Sequence, residues 1–150
     1  MDELRELYQQ IILDHNKNPK NFRKIEPASH ASEGYNPLCG DRIHVYLQVK
    51  DGKIEDVAFE GSGCAISKAS ASVMTTEIKG KTVEEAGQLF QKFQKMITAR
   101  IDEHIDPNEL GKLAVFEGVK EFPVRVKCAA LAWHTLLAAL KEDHSVVSTE

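Results

Sequence analysis

Between Arg42 and Glu60 the chain keeps a period of two and then turns back on itself. Ile43, Val45, Leu47 and Val49 alternate with Arg42, His44, Tyr46 and Gln48. That alternation puts the apolar side chains on one face of a strand. Asp51-Gly52 then supplies a pair suited to positive φ in a tight hairpin turn, and Val57 and Phe59 continue the apolar face on the return strand. A hairpin with one apolar face has to be covered, which limits the rest of the chain to elements that pack on it.

The period changes after Gly61-Ser62-Gly63. Ala65, Ile66, Ala69, Val73 and Met74 suit a helix, and Ser67, Ser70, Ala71 and Ser72 are small enough for close helix packing. Gly80 ends it. Thr82 and Glu85 have the spacing of a capping box, and Val83, Ala86, Leu89, Phe90, Phe93 and Ile97 follow at helical spacing. Asp106-Pro107-Asn108-Glu109 marks another helix start. A last helix is expected from about Val126 to Lys141, with Val126, Ala129 or Ala130, Trp133, Leu136, Leu137 and Leu140 on its core face. The tail from Asp143 is expected to fray.

At the other end, Leu4, Leu7, Tyr8, Ile11 and Ile12 fall on one face of a helix that Asn16, Asn18 and Pro19 stop near His15. The stretch from Asn18 to Pro37 is polar, carries three prolines, and reads as loop with a short strand near His30–Glu33. The layout predicted is α+β: a small antiparallel β-sheet of about three strands packed against helices. No repeat or linker breaks the chain, so residues 1–150 are expected to form one domain.

Charge and hydropathy narrow the partners. The net charge is −4 and the basic residues are scattered, which argues against a nucleic-acid partner. No apolar run reaches the roughly 20 residues of a membrane span. The first helix lacks the pattern of a secretory leader. A cytoplasmic location is the expectation.

Each of the three cysteines stands at a predicted boundary. Cys39 lies in the turn Asn36-Pro37-Leu38-Cys39-Gly40-Asp41, Cys64 where the hairpin gives way to a helix, and Cys128 in the first turn of the last helix. Helix starts present free N–H groups and a partial positive charge, both of which favour a thiolate. Asp41 follows Cys39 by two positions. In an extended chain both side chains point the same way, about 6.6 Å apart at the backbone. Three thiolates and a carboxylate would match tetrahedral zinc. Arg42, Lys68, Arg125 and Lys127 flank the set and would offset its charge. No C-x-x-C pair is present, so spacing alone leaves two readings open: a metal centre, or three partly buried cysteines packed as small hydrophobes.

The motifs carry more. Asn36-Pro37-Leu38-Cys39-Gly40-Asp41-Arg42-Ile43, Gly61-Ser62-Gly63-Cys64-Ala65-Ile66-Ser67-Lys68-Ala69-Ser70, and Phe122-Pro123-Val124-Arg125-Val126-Lys127-Cys128 with Leu131-Ala132-Trp133-His134 resemble the IscU/NifU-like iron–sulfur cluster assembly family, in its SufU branch. The opening helix with Asp14, His15 and Asn18-Pro19 fits as well. Lys127 stands where IscU-type chains carry histidine. The 64 positions from Cys64 to Cys128 hold an insertion typical of the branch. Glu121-Phe122-Pro123-Val124-Arg125 stands near the place of the chaperone motif of IscU, which puts an Hsp70 partner in doubt.

The resemblance implies a ligand set of Cys39, Asp41, Cys64 and Cys128 for zinc. It also implies a sulfurtransferase role, in which a SufS-type cysteine desulfurase passes persulfide sulfur to Cys39. The sulfur then moves towards a downstream iron–sulfur scaffold complex. In the family a histidine of the desulfurase can replace the thiolate matching Cys39 at the zinc. Arg125 is a candidate contact for the released thiolate or persulfide. Two rivals remain beside the relay: a scaffold holding a nascent iron–sulfur cluster on the same ligands, and a structural zinc module used only for docking. His134 is read as packing at the core edge, His44 as solvated, and Trp133, Phe90 and Phe93 as core.

Overall fold

The computed structural model describes residues 2–100, 103, 109–141 and 147–148. In chain order the elements are α1 (Asp2–Lys17), β1 (His30–Asn36), β2 (Asp41–Lys50), β3 (Lys53–Ser62), α2 (Ala65–Ile78), α3 (Val83–Thr98), a 3₁₀ helix (Gly111–Glu121), α4 (Pro123–Leu140) and β4 (Val147–Ser148).

The hairpin forms where the alternation puts it. β2 and β3 pair antiparallel, with Val45 opposite Phe59 and Leu47 opposite Val57, and the register shifts once, between Gln48 and Val49. Asp51 and Gly52 take φ of 52° and 76° at the turn. β1 pairs antiparallel with the other side of β2, from His30 opposite Leu47 to Asn36 opposite Asp41. It outruns the predicted His30–Glu33 because backbone pairing to β2 holds it. Its sequence, His-Ala-Ser-Glu-Gly-Tyr-Asn, has almost no apolar alternation to betray a strand. The sheet order is β3-β2-β1-β4, and β4 adds two residues parallel to β1. The architecture is therefore α+β, an antiparallel three-stranded sheet with helices, as expected.

Helices cover the apolar face. Ile43, Val45, Leu47, Ile54, Val57 and Phe59 are fully buried, in one cluster with Leu131, Trp133 and Leu136 of α4. Trp133 stacks on Phe93, with ring centroids 5.1 Å apart, and on Phe90, at 6.0 Å; Phe116 of the 3₁₀ helix meets Phe93 edge-on. α2 lies against α4 through the small residues expected. Ser67 and Ser70 are buried, the Ser70 hydroxyl donating to the Ala129 carbonyl at 2.6 Å, while the buried Ser72 faces α1, its Oγ 2.7 Å from His15 Nδ1.

The start of α3 has both halves of the capping box. The Glu85 amide donates to Thr82 Oγ1 at 3.0 Å and the Thr82 amide donates to Glu85 Oε1 at 2.9 Å. α1 departs from the sequence reading. Tyr8, Ile11 and Ile12 pack inward, but Leu4 and Leu7 are 52% and 54% exposed. α4 departs too: it begins at Pro123 rather than near Val126, with Pro in its first turn and no side-chain cap. The helix start read at Asp106-Pro107-Asn108 and the tail from Asp143 lie outside the described residues, apart from Glu109 and β4. Among the described residues, no helix is long and apolar enough to cross a membrane.

Candidate metal centre

The β1–β2 connection is a four-residue turn, 37–40, between the paired residues Asn36 and Asp41. Cys39 sits in that turn and is exposed. Gly40 follows it with φ of 71°, a conformation that side chains disfavour. Asp41, the first residue of β2, is fully buried. So Cys39 and Asp41 do not share one extended segment, as their spacing suggested; the turn folds the thiol back over the strand end.

Gly63 lets the third segment come close. Its φ is 148°, and a Cβ there would meet Asp41 Oδ1 at 2.2 Å. The approach lets the Cys64 amide donate to Asp41 Oδ1 at 2.7 Å. Cys64 itself caps α2, its sulfur accepting from the Ser67 amide at 3.4 Å. Its Sγ lies 3.7 Å from Asp41 Oδ2. α4 delivers Cys128, which is buried, with its Sγ 3.2 Å from that of Cys39.

These groups fit a metal ion. The sulfurs of Cys39 and Cys128 and a carboxylate oxygen of Asp41 lie within 4.8 Å of one another. Tetrahedral zinc with bonds of about 2.0–2.3 Å spaces its ligand atoms about 3.3–3.8 Å apart. The Cys39–Cys128 sulfur pair, at 3.2 Å, lies close to that range, and Cys64, outside the tight group of three, reaches it through Asp41 Oδ2 at 3.7 Å. The donor set is soft thiolate plus one hard oxygen, which suits zinc and iron alike.

The thiols differ in acidity. The Cys64 thiol is pushed down to about 7, first by the neighbouring Cys128 thiol and further by the Ser67 and Ile66 amides at the helix start. Cys128 is pushed up by Cys64 and by burial, with Cys39 and Asp41 adding to both. The sequence placed both at helix starts. The earlier start of α4 puts Cys128 in the second turn, where the helix charge has largely faded.

Three of the four flanking cations are engaged elsewhere. Arg42 pairs with Glu33 and lies 4.7 Å over the Tyr35 ring, and Lys68 lies 5.5 Å over Phe22. Arg125 is exposed, its guanidinium 4.4 Å above the Phe122 ring. Lys127 is half-buried beside Cys128 in the chain. His134 packs edge-on against Phe90 at 5.2 Å, and burial holds it below the usual imidazole value. His44 lies 3.2 Å from Glu33 Oε1 on the outer face.

One residue at the centre escaped the sequence reading. The sequence places Asn36 only in a turn, yet it is fully buried and touches two of the four candidate ligands.

Fold and centre together define a class: a small α+β protein whose loop ends converge cysteines and an aspartate into a metal-type site. The chain matches the family model of the NifU-like N terminal domain over residues 7–129 and belongs to that family. It is 43% identical to the zinc-dependent sulfurtransferase SufU of Bacillus subtilis over 87% of this chain and 86% of that one. It is 44% identical to the iron–sulfur cluster assembly scaffold protein IscU of Thermotoga maritima, over 91% and 94%. Among solved structures it is similar to a protein of Fervidobacterium islandicum described as an iron–sulfur cluster assembly scaffold for the SUF system. That likeness has a TM-score of 0.81 at 42% identity, over 90% of this chain and 97% of the other.

Proposed function

We propose that this chain, acting as one domain over residues 1–150, is a zinc-dependent sulfur acceptor of iron–sulfur cluster assembly. Cys39, Asp41, Cys64 and Cys128 are its ligands, and Cys39 is the residue that receives sulfur from a SufS-type cysteine desulfurase in the cytoplasm. The observation that carries this is the inequality of the thiols: an exposed Cys39 on a turn stands 3.2 Å from a buried Cys128 on a helix. The name of the Bacillus relative supports zinc and sulfur transfer.

Zinc, when bound, supplies the charge that keeps the thiolates deprotonated while holding their lone pairs. The rest is the chain's own work. Cys64, Asp41 and Cys128 stay fixed by strand and helix. The Cys39 thiolate, released from the set, attacks the outer sulfur of a cysteine persulfide on the desulfurase. One S–S bond forms at Cys39, one breaks, and the desulfurase thiolate leaves with the electron pair, so no oxidant is needed. Arg125 swings off the Phe122 ring to meet the charged persulfide; unchanged transfer in Arg125→Ala would reject that part. The sulfur then passes to a scaffold complex downstream.

The scaffold reading has its own support in the name of the Thermotoga relative. The deciding experiment incubates the zinc-loaded protein with the desulfurase and cysteine and maps the product by mass spectrometry. A gain of one sulfur on Cys39 with zinc retained is the expected result. No persulfide, together with a stable cluster after anaerobic reconstitution, would replace the relay with the scaffold.

A further inference from the structure

Asn36 is the last residue of β1 and is fully buried. Its side chain makes three contacts. Oδ1 accepts from the Leu38 amide at 3.2 Å. Nδ2 lies 3.4 Å from Asp41 Oδ2 and 3.5 Å from Cys128 Sγ. The orientation of the amide follows from chemistry. The Leu38 N–H only donates, so oxygen must face it, and the nitrogen then faces a carboxylate and a sulfur, which accept. The oxygen contact is long for N–H···O, and 3.5 Å is reasonable for an acceptor as large as sulfur.

A buried amide in this place has a specific effect. Three thiolates and a carboxylate carry four negative charges, so a divalent cation leaves two of them uncancelled. Of the cations flanking the site in sequence, Arg42, Lys68 and Arg125 are occupied on aromatic rings and Glu33, and Lys127 alone cannot cancel both charges. Neutral N–H donors must therefore do part of the stabilising, and a donor aimed at an anionic acceptor is about twice as strong as one aimed at a neutral group. The Cys64 and Ser67 amides serve Asp41 and Cys64. Asn36 serves Cys128 and, at longer range, Asp41.

Its third contact gives the arrangement direction. Oδ1 holds the turn at Leu38, one residue before Cys39, and makes no contact with Cys39 itself among the hydrogen bonds of its side chain. Resting on the metal-centre reading above, we propose that Asn36 is a positioning residue. It fixes Cys128 and Asp41 as the ligands that stay and leaves Cys39 as the ligand that goes. Deleting its N–H groups loosens Cys128 without unhitching the turn.

The test starts with the unmutated, nitrogen-labelled protein loaded with the spin-half isotope of cadmium in place of zinc. A scalar coupling between cadmium and an Asn36 side-chain proton, passing through Cys128 Sγ, is expected, because such coupling requires a hydrogen bond to a metal-bound sulfur. Sulfur-ligated cadmium with an uncoupled Asn36 overturns this inference alone. Cadmium without cysteine ligation overturns the metal-centre reading and this inference with it. Asn36→Asp gives a second reading: it keeps the size and the Oδ1 acceptor, loses both donors and turns a carboxylate oxygen towards Asp41 and Cys128. Zinc transfer to a chelator is expected to speed up about 10-fold or more, the scale seen when a ligand's outer partner is lost. An unchanged transfer rate in a folded Asn36→Asp protein would reduce Asn36 to a staple of the turn.

Discussion

Cys128 and Trp133 stand five residues apart on α4, and they face opposite kinds of surroundings. Trp133 is packed between Phe90 and Phe93 against the apolar face of the sheet. Its contacts are many and undirected, and even its indole N–H is buried without a partner among the described residues. Cys128 is just as enclosed, but it meets a thiol and an amide at defined distances. One end of the helix stabilises by removing apolar surface from water, which tolerates small shifts. The other is tuned by directed contacts, which do not. The same helix therefore anchors the fold and presents a ligand, and the two tasks should separate under mutation.

The largest effect should come from the apolar end. Trp133→Ala removes the widest buried side chain and is expected to lower stability by about 3–5 kcal/mol, read as a fall in the denaturant midpoint of the metal-free chain. Trp133→Phe should cost clearly less, since it leaves a smaller cavity and removes an unpartnered N–H. Equal losses would mean that the indole has a partner after all.

Next comes Gly63→Ala, which acts on the polar end. The added methyl would sit 2.2 Å from Asp41 Oδ1, at a φ of 148°. Metal affinity is expected to drop about 10–100-fold, with about 1–3 kcal/mol of backbone strain in the fold. A competition titration against a zinc chelator measures the first and thermal unfolding the second. Normal affinity would show that Asp41 does not need its bond from the Cys64 amide.

Acid should weaken the fold through two histidines. Burial depresses His134, and burial with Lys20 and Lys112 depresses His15 against the pull of Asp14; the His15 ring also meets Ser72 Oγ at 2.7 Å. Both are held neutral in the fold, so the unfolded chain binds protons first. Stability is complete above the ordinary value of 6.5 and falls as pH drops below it. Denaturant midpoints of the metal-free chain should decline from about pH 7 to about pH 5.5 and decline less in His134→Gln. A flat profile over that window would refute the burial of both rings.

Smaller still is Thr82→Ala, which breaks the capping box far from the centre. A loss of about 1 kcal/mol is expected, with metal affinity unchanged. Smallest on stability is Cys39→Ser. An exposed turn residue should shift the metal-free midpoint by less than about 0.5 kcal/mol, while sulfur uptake from the desulfurase disappears. A large stability loss there would erase the contrast between the leaving thiol and its fixed neighbours.

Much of this was legible beforehand, and the gaps have causes. The β2–β3 hairpin and the α3 cap rest on local rules, so alternation, Asp51-Gly52 and Thr82/Glu85 located them. β1 is held by pairing with β2 and carries little pattern of its own. α4 starts at Pro123, a position that prolines favour, but Phe122 offers no capping side chain to mark it. That slip of three residues put Cys128 at a helix start, whereas its thiol is pushed up by the neighbouring Cys64 thiol and by burial. The convergence of Cys39, Asp41 and Cys128 was implied by motif resemblance. The part played by Asn36 needed coordinates, because nothing in a turn motif says that an asparagine points inward.

The four-residue turn carrying Cys39 has both ends tied, since Asn36 and Asp41 are paired across the sheet. A thiol on so short a tether cannot carry cargo far; the recipient has to come to it. The same leash makes the return quick. Once the cargo is gone, the sulfur remains at an effective concentration on the order of millimolar or more beside its old neighbours. On the proposed route the protein is then self-resetting: each delivery ends with the leaving group back in its starting position, and no separate factor is required to re-arm it.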